Sequence, residues 1–264
     1  MFALLSLNDA LNNAMQTYIQ IKTKYSADII QRNPRAVLVE YLQYEILDSI
    51  FKQKRSENLS FIGGTAIRLV YGSSRFSEDL DFDNFGLSFS VFENMLGGVM
   101  ADMKNKGFTI GFRMVEKGAY HCYIKFQEIL KISGLPYQPG EKILVRVDTV
   151  HKKKIFNPRQ YLLDGFDVYR RILVNPTDII LSQKLITIIQ RKREKGRDFY
   201  DASFLFGITD PNYEYLEKEY CLNKAQFIEN LKNRINGLDF SELARDVLPF
   251  LMRQDDQERV LSFK

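Results

Sequence analysis

Three aspartates at alternate positions, Asp79, Asp81 and Asp83 in EDLDFDNF, are the residues of this sequence best suited to do chemistry. In an extended strand, positions i, i+2 and i+4 share one face. The three carboxylates are therefore expected to point together, with Leu80 and Phe82 turned into a core. Like charges at that spacing repel. A solvated strand edge tolerates them, and a divalent cation neutralises them. Hard oxygen donors on one or two carboxylates, with phosphate oxygens completing the shell, describe Mg2+ rather than Zn2+. Soft ligands are scarce in any case: two cysteines, Cys122 and Cys221, without paired spacing, and two histidines, His121 and His151.

The stretch before the aspartates, FIGGTAIRLVYG, reads as a short strand, a Gly63-Gly64 turn and a helix that Gly72 ends. Backbone N–H groups at such a turn approach a phosphate closely, and the dipole of the following helix favours an anion. The Thr65 hydroxyl is a further donor beside them. A triphosphate on Gly63, Gly64 and Thr65 would present oxygens to a metal on Asp79 and Asp81. Gly-Gly alone, or Asp-x-Asp alone, is common in bland loops and solvated strands. In this order, on strand–turn–helix–strand context, the two together point to nucleotide chemistry.

These residues need a scaffold, and the rest of the 264-residue chain supplies it. With 45% hydrophobic and 27% charged residues the composition is globular, enough for one large domain or two small ones. AVLVEYLQYEILDSIF (36–51) has the three-and-four spacing of an amphipathic helix, with a start signal in the preceding NPR. KGFTIGFRMV and AYHCYIKFQEI read as an antiparallel hairpin joined through EKGA, and KILVRVDTV (142–150) as another strand. From Pro176 the texture becomes helical, beginning with PTDIILSQKLITIIQRKREKG, which Gly196 is expected to close. The expected fold class is α+β: a mixed sheet with N-terminal helices, then a mainly helical C-terminal half. The boundary falls in 152–176, giving a core domain over 1–165 and a helical domain over 166–264.

A net charge of +4 is too small to argue for nucleic acid by itself. HKKK (151–154) and RKREKGR (191–197) are local basic clusters, each either a solvated face or a phosphate-contacting patch. The N-terminus, MFALLSLNDALNNAMQTY, lacks a basic n-region and a small-residue cleavage site, so no signal peptide is expected. No apolar stretch approaches the roughly 20 residues that span a bilayer. A soluble, cytoplasmic protein in a reducing compartment is expected.

FIGGTAIRLVYG…RFSEDLDFD resembles the signature of the AbiEii/AbiGii-type nucleotidyltransferases, the toxin components of bacterial toxin–antitoxin and phage-defence systems, within the DNA polymerase β-like superfamily. The likeness is dense over residues 36–83, resumes at KLITIIQRKREKGRDFYDASFL, and is loose elsewhere. The general superfamily pattern has Gly-Ser before the carboxylates. Here it is Gly63-Gly64, with a longer gap to Asp79, as in this branch. The resemblance implies a polymerase-β-like core, an NTP substrate, Mg2+, a separately encoded antitoxin that often acts without stable contact, and an RNA target, with tRNA 3′ ends a known choice in the family. It implies that the C-terminal half completes the active site.

It also directs attention to further residues. Two-metal nucleotidyl transfer calls for a third carboxylate. Asp148 in ILVRVDTV is the candidate, set against a plain surface ion pair with Arg146 on the same face. Lys184 lies in an apolar helical stripe between Ile180 and Ile188, where a lysine must snorkel or find an anion. The resemblance implies contact with the nucleotide phosphates. Asp198 in GRD is the closer match to a family active-site aspartate and Asp201 the second choice, although helix capping alone accounts for either about as well. Arg75 and Ser77 flank the aspartate strand in RFSEDLD, where Arg75 either meets a phosphate or braces carboxylates. Arg68 reads as a surface or bracing residue. The expected reaction is attack of an acceptor hydroxyl, oriented by Asp148, on the α-phosphate, with Lys184 neutralising phosphate charge. Transfer to a small molecule or a protein, and a non-catalytic nucleotide-binding module, remain the alternatives. Cys122 and the histidines are assigned to packing.

Overall fold

A computed structural model describes residues 15–263, so the part of the N-terminal reading that falls on residues 1–14 lies outside the described residues. In chain order the elements begin with helices α1 (Tyr18–Lys22), α2 (Ala27–Arg32) and α3 (Pro34–Lys52). Strand β1 (Leu59–Ile62), helix α4 (Gly63–Leu69), strand β2 (Leu80–Asn84) and helix α5 (Phe89–Asn105) follow. Then come β3 (Ile110–Glu116), β4 (Tyr120–Phe126), α6 (Ile129–Ile132), β5 (Ile143–His151), β6 (Arg159–Gly165) and β7 (Val168–Val174). The C-terminal part holds α7 (Thr177–Gln190), α8 (Gly196–Phe206), α9 (Tyr213–Tyr220), α10 (Lys224–Ile235), α11 (Phe240–Val247) and α12 (Glu258–Leu261). The strands form a mixed sheet, and the expected α+β class is what the chain adopts.

The chain divides into two compact units, one of Met1–Ser60, Glu78–Lys152 and Gln160–Ile172, the other of Phe61–Ser77, Lys153–Arg159 and Leu173–Lys264. In the first, strands run in the order β3-β4-β5-β2. The β3–β4 and β4–β5 pairs are antiparallel and β2–β5 is parallel. Helix α3 starts with Pro34 at its first turn, where the missing N–H is harmless. It buries Leu38, Tyr41, Leu42, Ile46 and Ile50 completely, each worth about 1.5–3 kcal/mol in apolar transfer. Helix α5, capped by the Ser88 side chain accepting from Val91 N–H, packs on it and buries Phe92, Leu96 and Val99. A buried charge cluster lies in this unit: Lys106 reaches Glu45 at 2.7 Å and Asp48 at 2.8 Å, and Arg170 reaches Asp48 at 2.8 Å.

In the second unit β1 and β7 pair in parallel, with Phe61 opposite Val174, and Asn175 N–H donates to the Phe61 carbonyl. Helix α7 buries Ile180, Leu181, Leu185 and Ile188. It ends at Gln190 rather than at Gly196, which instead opens α8. Gly196 is small for a packing reason: a Cβ there would run into the Leu243 carbonyl oxygen of α11. Its N–H donates to Asp246 Oδ2 at 2.8 Å. Gly196→Ala is therefore expected to destabilise by about 1–3 kcal/mol or more, through overpacking against backbone. Gly97→Ala, at an exposed helical site with nothing within 4 Å, is expected to stabilise by about 0.5–1 kcal/mol. Urea midpoints of the two variants check both signs.

The interval 152–176, read as a boundary, holds strands β6 and β7. Their residues alternate weakly between buried and exposed, and the Phe166-Asp167 turn between them has φ of 53° and 61°. Positive φ at both central positions suits a two-residue hairpin turn. With neither Gly nor Asn at either central position, the turn gives little local warning of itself.

Candidate active site

Strand β2 begins at Leu80, so Asp79 stands immediately before it and Asp81 is its second residue. Leu80 and Phe82 are buried, as expected. Asp83 is buried too, while Asp79 and Asp81 stay half-open, so only the first two aspartates reach an accessible face. The parallel register places Asp81 opposite Asp148 of β5. On β5 the buried positions are Ile143, Val145, Val147 and Thr149, and the alternating face carries Arg146 and Asp148. The β4–β5 register sets His121 opposite Asp148, and His121 Nδ1 lies 2.8 Å from Asp148 Oδ1.

Arg146 organises this acidic face. Its Nη2 donates to Asp79 Oδ2 at 2.7 Å, and its Nε lies 2.8 Å from Asp148 Oδ2. Partial burial works against the guanidinium charge, but Asp79, Asp148 and Asp81 together outweigh it and raise its pKa. The Arg146–Asp148 pair read from the sequence is thus present, with Asp79 joined to it. Asp79, Asp81 and Asp148 are the residues that could hold a metal, and an all-carboxylate donor set fits a hard cation. In this structure Asp79 and Asp148 hold the guanidinium between them. Among the described residues no three His, Cys, Asp or Glu side chains are set to enclose a metal ion.

The second unit carries the glycine turn and the C-terminal residues. Gly63 and Gly64 are the first two residues of α4, with Gly63 at φ 77°, and Thr65 follows, fully buried. A Cβ at Gly64 would collide with the Arg75 guanidinium and stand 2.8 Å from Ser77 Oγ. Glycine at this position lets Arg75 and Ser77 close over the helix start. Arg75 is buried and binds Asp201 as a fork, Nε to Oδ1 and Nη2 to Oδ2, both at 2.9 Å. Its Nη1 donates to the Phe76 carbonyl. Here it braces a carboxylate, Asp201 of α8. Arg68 also braces, donating from Nη1 to the Ser73 carbonyl at 2.8 Å.

Lys184 has found anions within its own unit. Its Nζ lies 2.9 Å from Asp201 and 3.3 Å from Asp198, with the side chain 14% exposed. Burial disfavours its charge, yet Asp201 and Asp198 outweigh both burial and the Arg75 charge and raise its pKa. Asp198 sits in the first turn of α8 but makes no cap bond. It faces Lys184 and Arg191 instead, the latter at 3.1 Å. The two aspartates weighed against each other in the sequence thus meet the same lysine. Three cations, Arg75, Lys184 and Arg191, stand against two carboxylates, a surplus of one positive charge.

Arg191 was read only as part of the basic cluster 191–197, without its partner; it stands at the C-cap of α7, seven residues after Lys184, a spacing that would have grouped the two. His121 was assigned to packing, and only the strand register reveals its place at Asp148. Cys122 does belong to the core: burial, with Asp148 nearby, pushes its thiol up to about 12, out of range for a nucleophile. A cavity of about 490 Å³ in the first unit, beside Glu45, Asp48, Lys106 and Arg170, contains none of the predicted site residues.

Comparison with known proteins decides the family. Residues 45–262 match the model of the family described as nucleotidyl transferase AbiEii toxin, type IV toxin–antitoxin system. The chain belongs to the AbiEii family. This AbiEii chain is accordingly a nucleotidyltransferase. Among solved structures it is similar to JHP933 from Helicobacter pylori, at 21% identity and TM-score 0.52, covering 86% of this chain and 88% of that one. It is also similar to a candidate nucleotidyltransferase from H. pylori, at 20% identity and TM-score 0.54, covering 86% and 90%. At these identities the likeness speaks to fold. No curated protein matches the chain. Among the described residues no helix is long and apolar enough to cross a membrane.

Proposed function

We propose that this AbiEii enzyme transfers a nucleotidyl group from an NTP to a hydroxyl of RNA, at a tRNA 3′ end, with Mg2+ as its metal. The observation that carries the reading is the register of Asp81 against Asp148, with Asp79 two residues earlier. It brings three carboxylates to one face of one sheet, as metal-assisted phosphoryl chemistry requires. Asp79, Asp81 and Asp148 would hold the metal, which when bound would supply Lewis-acid polarisation of the phosphate and neutralise its charge. Asp148 orients the acceptor hydroxyl and takes up its proton. The hydroxyl oxygen attacks the α-phosphorus in line, the bond to the bridging oxygen breaks, and pyrophosphate leaves.

Gly63, Gly64, Thr65, Arg75, Ser77 and Lys184 are proposed to bind the triphosphate, with Asp198 holding Lys184 in place. The surplus positive charge of the Arg75, Lys184 and Arg191 group supports that role. Exposed Lys153, Lys154, Lys192 and Arg193 support an RNA acceptor whose binding weakens with salt. The type IV family description supports a cognate antitoxin, here proposed to act without stable contact and in phage defence.

The test is transfer of label from each α-labelled NTP into total cellular RNA with Mg2+, beside an Asp79→Ala/Asp81→Ala control. Label in a discrete RNA band, absent from the control, supports the reading and identifies base and acceptor. Transfer only to a protein or a small molecule would overturn the RNA assignment. Mg2+-independent NTP binding without transfer would overturn the catalytic one.

A further inference from the structure

Arg146 carries more than an ordinary surface ion pair. It lies on the same face of β5 as Asp148, two residues before it, and its fork spans two strands to reach Asp79. The carboxylates it holds are the first and third of the proposed metal set, and the charge of the second, Asp81, also acts on it. His121 meets Asp148 from the β4 side through the other carboxylate oxygen, Oδ1, so both oxygens of Asp148 are engaged. A guanidinium and a divalent cation seek the same carboxylates and repel each other, so each weakens the other's hold.

We infer that Arg146 is the resident counter-cation of the acidic face: it stabilises the metal-free enzyme by bridging Asp79 to Asp148, and metal binds only as that bridge opens. The inference rests on the proposed metal role of Asp79, Asp81 and Asp148. Two consequences follow from charge alone. The metal-free protein does not suffer the repulsion of three bare carboxylates, and its affinity for a free divalent cation is held below what those carboxylates would give. Arg146 is then a positioning residue that makes metal loading conditional, so that a cation arriving with a polyphosphate, which shares the cost of opening the bridge, is favoured over a cation arriving alone.

The experiment is Mn2+ binding to the full chain without nucleotide, read as free Mn2+ by electron paramagnetic resonance at fixed salt. Wild type, Arg146→Gln, Arg146→Lys and Asp81→Asn are compared, with a thermal melt of each. Arg146→Gln removes the bridging charge and is expected to tighten Mn2+ binding about tenfold or more. Arg146→Lys, one charge without the fork, is expected to fall between wild type and Arg146→Gln, and it decides the matter should Arg146→Gln not fold. Mn2+ is also expected to raise the melting temperature of Arg146→Gln more than that of wild type. Asp81→Asn is expected to abolish the binding. Unchanged or weaker Mn2+ affinity in the folded Arg146 variants, with Asp81-dependent binding intact in wild type, would overturn the counter-cation role and leave the metal assignment standing. No Asp81-dependent binding in any protein would overturn both.

Discussion

Asp81→Asn is expected to lower kcat/KM for nucleotidyl transfer about 10³-fold while leaving the protein folded, since metal stabilisation of the reacting phosphate is worth several kcal/mol and each 1.36 kcal/mol is tenfold. The substitution is isosteric and removes one charge from a half-open position at the β2–β5 register. The Arg146 bridge to Asp79 and Asp148 does not pass through Asp81, so the pairing that organises the face persists. Stability is therefore expected to change by less than about 1 kcal/mol, the scale of partly exposed pairs. Single-turnover transfer alongside urea unfolding separates the two effects. A folded Asp81→Asn enzyme within tenfold of wild type would remove the carboxylate face from the chemistry and return it to the role of scaffold.

How much of this could be read beforehand depended on whether the signal was local. The period-two run EDLDFD and the apolar spacing of residues 36–51 carry their own burial pattern, so β2 and α3 were legible to within a few residues. The hairpin of β3 and β4 was legible for the same reason, with its Gly118 turn. Lys184 announced a problem, a charge in an apolar stripe, but not its solution. The answer lies on another helix, at Asp198 and Asp201, and periodicity within α7 carries no information about it. Arg75 and Asp201 are 126 residues apart, and nothing short of the fold brings them together. Asp83 shows the converse limit. Alternation assigns it the face of Asp79 and Asp81, yet it is buried where those two are not, because burial varies along one face of a strand. Gly196 was misread because a glycine at a helix boundary serves either as a stop or as room for a neighbour, and only the position of α11 tells which.

That long-range cluster should dominate stability as the carboxylate face dominates catalysis. Asp201→Asn is expected to destabilise the protein by about 3–5 kcal/mol, the cost of leaving buried charge uncompensated when one partner is removed. Asp201 is fully buried, and it is the carboxylate shared by the Arg75 fork and Lys184. Asp28→Asn, which breaks the exposed pair with Arg32 on α2, is expected to leave the urea midpoint nearly unchanged. The pH dependence supplies a second check. Burial works to raise the Asp201 pKa, but Arg75 and Lys184 outweigh it and hold the carboxyl below the usual range. A depressed folded pKa means the unfolded chain binds the proton first. The contribution is complete above about 3.9, the ordinary value for Asp, and is lost as pH falls through the folded value. Lys184 behaves in the opposite sense: with its pKa raised, its contribution is complete below about 10.4 and is lost as pH climbs through the folded value. Wild type and Asp201→Asn should therefore differ most on the plateau between these limits and converge in acid. A difference that stayed constant down to the acid transition would mean that the aspartate acts through shape and hydrogen bonding rather than through its charge.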